Sequence, residues 1–113
     1  MHELSLCRSI VDLVVGAAAE EGVRRILSVT VEIGDAAAVD PDALLFCFPV
    51  VAEDTAAAGA ALVITRVPVT ALCHGCGAEF TPGNRTSPCP ACGGYARTLL
   101  DGRQMRVVSF EAE

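Results

Sequence analysis

Apolar residues recur with two different periods in the first third of the chain. From Leu4 to Glu21 they return every three or four positions, which places them on one face of a helix that ends at Gly22: Leu6, Ile10, Leu13, Val14, Ala17 and Ala18. From Ile26 to Ile33 they return every second position, which places Leu27, Val29, Val31 and Ile33 on one face of a strand. The pattern therefore predicts an amphipathic helix followed by a half-buried strand that stops at Gly34.

The pattern continues with a second helix and two further strands. Asp40 suits an N-cap, and Pro41 suits the first helical turn, where its missing N–H does no harm. The buried face of this helix is predicted to be Leu44, Leu45, Phe48, Val51 and Ala52. Pro49 lies inside the pattern, so we expect it to kink or shorten the helix. Strands are predicted over Ala60–Val67 and over Met105–Glu111, after the turn signal Asp101-Gly102.

Between these last two strands the composition shifts to Cys, Gly, Pro and Thr. Cys73-His74-Gly75-Cys76 is followed twelve residues later by Cys89-Pro90-Ala91-Cys92, a spacing typical of a tetrathiolate metal site. Four thiolates around one ion suit structural Zn²⁺, which accepts a closed tetrahedral sulfur shell. The turns and the glycines after them, Gly77 and Gly93-Gly94, are expected to bring backbone N–H groups to the sulfurs. His74 is open to three interpretations: a bystander, a hydrogen-bond partner or an alternate ligand.

The element order predicts an α+β fold. Two helices pack on a three-stranded sheet, and a zinc-ribbon-like lobe is inserted before the last strand, which returns to the first two. The predicted divisions are an α+β domain at residues 1–68, the zinc-binding lobe at 69–100 and the final strand at 101–113. Cys7 and Cys47 fall near the buried helix faces, where we expect them to pack as small apolar residues.

Charge and composition exclude several functional classes. The net charge of −6 disfavours a nucleic-acid partner, because an acidic chain repels phosphate backbones. No apolar run approaches the length of a membrane span, and the N-terminus does not resemble a signal peptide, so no membrane partner is expected. Six cysteines, four of them in two Cys-x-x-Cys pairs, then fit a reducing cytoplasm. With only two histidines, no hydrolytic set can be assembled, and we expect no enzyme activity.

Met1-His2-Glu3 forms a second candidate metal site. A free α-amine, a backbone amide that can lose its proton and the imidazole of His2 form fused chelate rings around one ion. Such a nitrogen-rich, tetragonal set suits Ni(II) or Cu(II) better than zinc. Binding must displace protons from these groups, so affinity is expected to rise with pH.

The chain as a whole resembles the HypA/HybF family of nickel metallochaperones for [NiFe]-hydrogenase maturation. The resemblance rests on Met1–Cys7, on Val31-Glu32-Ile33-Gly34, on the two Cys-x-x-Cys pairs with Gly93-Gly94 and on Met105-Arg106-Val107. It implies structural zinc at Cys73, Cys76, Cys89 and Cys92. It also implies transferred nickel at Met1, His2 and Glu3, with Asp40 as a further ligand. Asp40 has an alternative role as N-cap, and both roles stay open here.

The resemblance also implies partners. They are a maturation GTPase of the HypB type and the hydrogenase large-subunit precursor, and urease is a further client in some members. The oligomeric state is left open, with a homodimer as one alternative. Two other functions remain from the residues alone: a zinc-ribbon module that binds protein or nucleic acid, and a mononuclear iron redox carrier that uses the same four cysteines.

Overall fold

The computed structural model describes residues 2–84 and 86–113. In chain order its elements are α1 (His2–Glu20), β1 (Ile26–Gly34), α2 (Pro41–Ala52), β2 (Ala61–Val67), β3 (Thr70–Cys73), β4 (Glu79–Phe80), β5 (Arg97–Asp101) and β6 (Met105–Ala112). The strands form two three-stranded sheets in the orders β2-β1-β6 and β4-β3-β5. The predicted fold class is confirmed: two helices, a three-stranded sheet and a cysteine lobe inserted before the last strand.

The sheet β2-β1-β6 places the first strand at its centre. Backbone hydrogen bonds join Arg25 to Glu113 and Gly34 to Gln104, so β6 runs antiparallel to β1. The Ile26 N–H donates to Ala56 O, ahead of β2, and the Asp35 N–H donates to Val67 O, so β2 runs parallel to β1. The parallel pair requires a crossover, which α2 supplies. The predicted return of the last strand to the first two is confirmed.

The chain divides into two compact units. The helical unit comprises residues 1–32, 39–65 and 106–113, and the cysteine lobe comprises residues 33–38 and 66–105. In the helical unit α1 packs against α2, and the Cys7 thiol donates to Leu44 O at 3.4 Å. Its core is apolar: Cys7, Ile10, Val11, Val14, Ala18, Ile26, Val29, Val31, Leu44, Phe48, Ala52 and Ala57. Cys7 therefore packs in the core as expected, and burial raises the pKa of its thiol to about 11.

Several predicted details of the first three elements are wrong. The helix α1 begins at His2 rather than Leu4, and it buries Val11 instead of Leu13, which is 58% exposed. In β1 the strict alternation fails at its start, because Ile26 is buried and Leu27 is exposed. In α2 Leu45 is exposed rather than buried. The helix continues through Pro49 to Ala52, so the proline does not end it, and the expected kink stays a prediction.

The cysteine lobe contains a second sheet that the hydrophobic pattern did not predict. Strand β3 is central and pairs antiparallel with β4 and with β5, with a register shift between Thr70 and Ala71. At one end of the lobe the chain approaches itself very closely: a Cβ on Gly34 would overlap the carbonyl of Gly102. Only glycine fits at this position, so the close packing requires Gly34, which is also the last residue of β1.

Candidate metal centres

The four cysteines of the two Cys-x-x-Cys pairs converge in the cysteine lobe. Cys73 ends β3, Cys76 follows in the next turn, and Cys89 and Cys92 lie in the turn region before β5. Their four Sγ atoms all lie within 4.8 Å of one another, with Cys73–Cys92 at 3.5 Å and Cys76–Cys89 at 3.7 Å. A tetrahedral ion with bonds of about 2.3 Å to sulfur requires sulfurs about 3.8 Å apart. The donor set and its spacing therefore fit a structural tetrahedral metal.

The glycines of the two cysteine turns have two different roles, and only some of them bring an N–H group to a sulfur as expected. The Gly75 N–H donates to Cys73 Sγ at 3.3 Å, and the Gly94 N–H donates to Cys92 Sγ at 3.4 Å. Gly77 and Gly93 instead adopt φ of +76° and +77°, and their N–H groups bond the carbonyls of Cys73 and Cys89. Backbone N–H groups at the sulfurs offset thiolate charge, while the left-handed glycines close the turns.

The sulfurs differ in acidity because of their neighbours. The backbone N–H of Cys76, with a smaller contribution from Gly75, lowers the pKa of Cys73 to about 7. The Ala78 N–H favours the Cys76 thiolate, but the Cys89 sulfur, burial and the other two thiols together raise the pKa of Cys76 to about 11. Four thiolates this close repel one another unless a cation lies between them. Metal binding must therefore release protons, and affinity must rise with pH.

His74 is a hydrogen-bonding residue of the lobe. Its Nε2 lies 2.6 Å from Thr98 Oγ1, and its backbone N–H donates to Ala96 O at 2.9 Å. It does not belong to the set of mutually close ligand atoms, which consists of the four cysteines. Of the three interpretations, the hydrogen-bond partner is the one that this geometry favours, because the ring ties the first cysteine turn to β5.

The second candidate centre lies in the helical unit. His2 is exposed in the first turn of α1, and Glu3 is half-buried beside it. The Asp40 N–H donates to Glu3 Oε2 at 3.1 Å, so the start of α1 touches the N-cap of α2. This bond, followed by the N–H of Glu3 itself, lowers the pKa of the Glu3 carboxyl. Met1, the other predicted ligand, lies outside the described residues.

Asp40 caps α2 as predicted, yet the cap uses one oxygen. Its Oδ1 accepts from the Asp42 N–H at 3.0 Å and from the Ala43 N–H at 3.4 Å. Within the described part of the chain, Oδ2 makes no hydrogen bond, and the side chain is exposed. The two roles that the sequence left open are therefore compatible, since one carboxylate oxygen can cap the helix while the other faces solvent.

Sequence reasoning missed how these residues meet. Glu3 and Asp40 are 37 positions apart, and no local pattern links a first-turn glutamate to the cap of another helix.

Among residues 2–84 and 86–113, the four cysteines are the one group of three or more His, Cys, Asp or Glu that could hold an ion. The side chains of His2, Glu3 and Asp40 do not form such a group, so a metal at His2 would need further donors. In the same residues, no helix has the length and apolar character to cross a membrane.

Comparisons with known proteins agree with this arrangement over the whole chain. Residues 1–112 match the family described as hydrogenase/urease nickel incorporation, metallochaperone, hypA. The hydrogenase maturation factor HypA of Geobacter metallireducens is 45% identical over 113 residues, covering all of both chains. That of Chloroflexus aurantiacus is 45% identical over 112 residues, covering 98% of each.

Solved structures give the same result. The solution structure of the Ni metallochaperone HypA from Helicobacter pylori superposes with a TM-score of 0.65 at 26% identity, covering 97% of this chain and 96% of that one. A second HypA solution structure has a TM-score of 0.73 at 27% identity, covering 100% and 97%. The chain thus belongs to the HypA family of hydrogenase/urease nickel incorporation metallochaperones.

Proposed function

We propose that the chain binds one Ni(II) at Met1, His2 and Glu3 and delivers it during [NiFe]-hydrogenase maturation. The observation that carries the proposal is the bond between the Asp40 N–H and Glu3 Oε2. It ties the Glu3 carboxylate in the first turn of α1 to the backbone of the N-cap of α2, whose own side chain is exposed. The lowered pKa of Glu3 keeps that carboxylate anionic as the pH falls, which favours a cation beside it.

The first turn of a helix suits a ligand set that includes backbone nitrogen. The first four N–H groups of an α-helix have no partner within the helix. His2 is the first helical residue described, so its amide can lose a proton to a metal without breaking a helical bond. The Met1 amine, this amide and the His2 imidazole then supply nitrogen donors, and the Glu3 and Asp40 carboxylates would have to move towards the ion to join them as oxygen donors.

Exposure of the site suits transfer. His2 and Asp40 are both exposed, so an acceptor can replace the ligands one at a time while the ion stays bound. In the cysteine lobe, by contrast, four thiolates leave no open position, and two of them, Cys73 and Cys89, are buried, whereas Cys76 and Cys92 are exposed. We assign structural Zn²⁺ to that set and propose that the chain is a carrier without catalytic activity.

Partners and organisation follow from this assignment. The family's role in hydrogenase maturation implies contact with the maturation machinery. We propose a GTPase of the HypB type and the hydrogenase large-subunit precursor as the two proteins contacted in the cytoplasm. Residues 1–68 would carry nickel, residues 69–100 would carry zinc, and residues 101–113 would return as the last strand.

The two histidines provide a matched test of the nickel site. His2→Ala is expected to weaken Ni(II) binding by more than about 100-fold, since even a group that only supports a ligand is worth about 10- to 100-fold. His74→Ala removes the other imidazole, which bonds Thr98 in the lobe, and should leave Ni(II) affinity unchanged. Isothermal titration with Ni(II), alongside zinc content, measures both. Equal affinities in the two variants would contradict the proposed site.

Asp40 can be tested separately as a ligand and as a cap. Asp40→Asn preserves helix capping but replaces the free carboxylate oxygen by part of a neutral amide, so we expect weaker Ni(II) binding with unchanged unfolding. Asp40→Ala should lose nickel affinity to the same extent and also about 1 kcal/mol of stability. Titration and urea unfolding distinguish the roles. If Asp40→Asn binds nickel as the parent does, Asp40 is a cap alone.

A further inference from the structure

Helix α2 is apolar on two faces, and one of them is open to solvent. Its inner face is buried: Leu44, Phe48 and Ala52 are at most 1% exposed. The opposite face is also apolar and open to solvent, with Leu45 at 45%, Phe46 at 81% and Val50 at 63% exposed, and with Pro49 exposed between them. We call these four residues the outer stripe. A helix that is apolar all round is normally covered on every side.

Carboxylates bound the outer stripe at both ends. Asp42, Leu45, Phe46, Pro49, Val50 and Glu53 follow the spacing i, i+3, i+4, i+7, i+8 and i+11, so they share one helical face. Asp42 and Glu53 are both exposed at the ends of that face. From Val39 to Thr65 the sequence has four carboxylates and no Lys or Arg, so the segment itself supplies no cation to these ends.

Pro49 adds a hydrogen-bond acceptor to the same face. Proline has no N–H, so the carbonyl of Leu45 lacks the donor that residue i+4 normally supplies in a helix. An acceptor left without its helical partner is satisfied by water until a donor from another molecule replaces it. The face thus combines an apolar centre with acceptors and negative charge, and it offers no donor side chain.

We propose that the outer stripe docks a helical segment of a partner protein, with an apolar face bounded by Lys or Arg. The cationic ends would meet Asp42 and Glu53 while the apolar residues cover Phe46 and Val50. A second copy of this chain is a poor occupant, because two stripes packed together would bring four carboxylates together without a cation. The proposal stands apart from the nickel site and does not require bound metal.

A labelled peptide of about 18 residues, five helical turns, tests the chemistry of this surface. One peptide carries a leucine stripe bounded by lysines, and its control carries glutamates in place of the lysines. Fluorescence anisotropy with the intact, zinc-loaded chain should show the lysine peptide binding about 10-fold or more tightly than the glutamate peptide at low salt. The preference should fall at high salt, because the Debye length shortens to about 3 Å at 1 M.

Variants locate the binding. Phe46→Ser should weaken the lysine peptide by about 10-fold or more, because a central aromatic residue dominates such contacts. Leu13→Ser removes another large exposed apolar side chain, 58% exposed on α1, and it should change nothing. Asp42→Asn with Glu53→Gln should remove the preference for the lysine peptide. Equal weakening by Phe46→Ser and Leu13→Ser, or equal binding of both peptides, would overturn the proposal. So would sedimentation as a dimer that Phe46→Ser dissociates, since the occupant would then be a second copy.

Discussion

Removal of the metal, or replacement of Cys73 by Ser, is expected to unfold the cysteine lobe while α1, α2 and their sheet stay folded. The reason is the distribution of buried apolar residues. The helical unit has a core of leucine, isoleucine, valine and phenylalanine side chains. In the described part of the lobe, the buried apolar side chains are Ile33, Ala71, Cys73 and Cys89, and two of these are proposed metal ligands.

The magnitudes support this expectation. Burying one isoleucine side chain contributes about 1.5–3 kcal/mol, and an alanine contributes less. Ordering each residue of the lobe costs roughly 1–2 kcal/mol in backbone entropy. A structural zinc site contributes about 10–16 kcal/mol in small zinc-finger domains. The bound ion is thus expected to be the largest single stabilising contribution in the lobe.

The experiment compares two cysteine variants. Cys73→Ser and the parent treated with a strong chelator should both lose zinc, together with the dispersed amide NMR signals of β3 and β5. Cys47→Ser removes a thiol from the half-buried face of α2, outside the four-sulfur set, and should retain one zinc. A lobe that keeps its dispersed signals without metal would contradict the expectation. Iron rather than zinc in the purified protein would instead support the redox carrier.

The difference in buried apolar residues between the helical unit and the cysteine lobe explains how much of the fold the sequence predicts. In the helical unit, burial is strong and periodic, so the helices, β1, β2 and the return of β6 follow from apolar spacing. The Asp40 cap follows from local chemistry as well, because its side chain bonds the next turn. In the lobe, β4 is two residues long and the described core is nearly absent, so no apolar period marks the strands. Strands β4 and β5 are held by pairing with β3 and by the four cysteines. Neither the pairing nor the cysteine set produces a periodic pattern of apolar residues.

Local exceptions have local causes. Leu45 fits the apolar spacing of α2 but lies in the exposed outer stripe. The spacing shows which residues share an apolar face, but it does not show which face another element covers. Gly75 and Gly94 contact the sulfurs, while Gly77 and Gly93 supply the left-handed conformation, a division of roles that composition does not distinguish. For the proposed nickel site, the sequence identifies donor groups, whereas the bond between Glu3 and Asp40 emerges only when the two helices pack.

An N-terminal extension is expected to have the second large effect. Placing Gly-Ser ahead of Met1 converts the proposed amine ligand into an ordinary amide, which opens the fused chelate rings. We expect Ni(II) affinity to fall by more than about 100-fold, which exceeds the loss caused by removing a group that only supports a ligand. Zinc content and the unfolding transition should not change, because the extension touches neither the cysteines nor the buried face of α1. Isothermal titration and metal analysis measure these quantities.

The pH dependence identifies which nitrogen donors take part. Each proton displaced on binding adds one to the slope of log affinity against pH over the range where its group is protonated. The parent should have a steep slope, because amine, amide and imidazole all lose protons, and the extended chain should have a shallower one. The same Gly-Ser dipeptide after Glu113 is the matched control and should alter neither affinity nor slope. If the N-terminally extended chain binds nickel with the parent's affinity and slope, the amine is not a ligand. The ion would then be held by the His2 imidazole with donors other than the amine, and the Glu3 and Asp40 carboxylates would have to move towards it to take part.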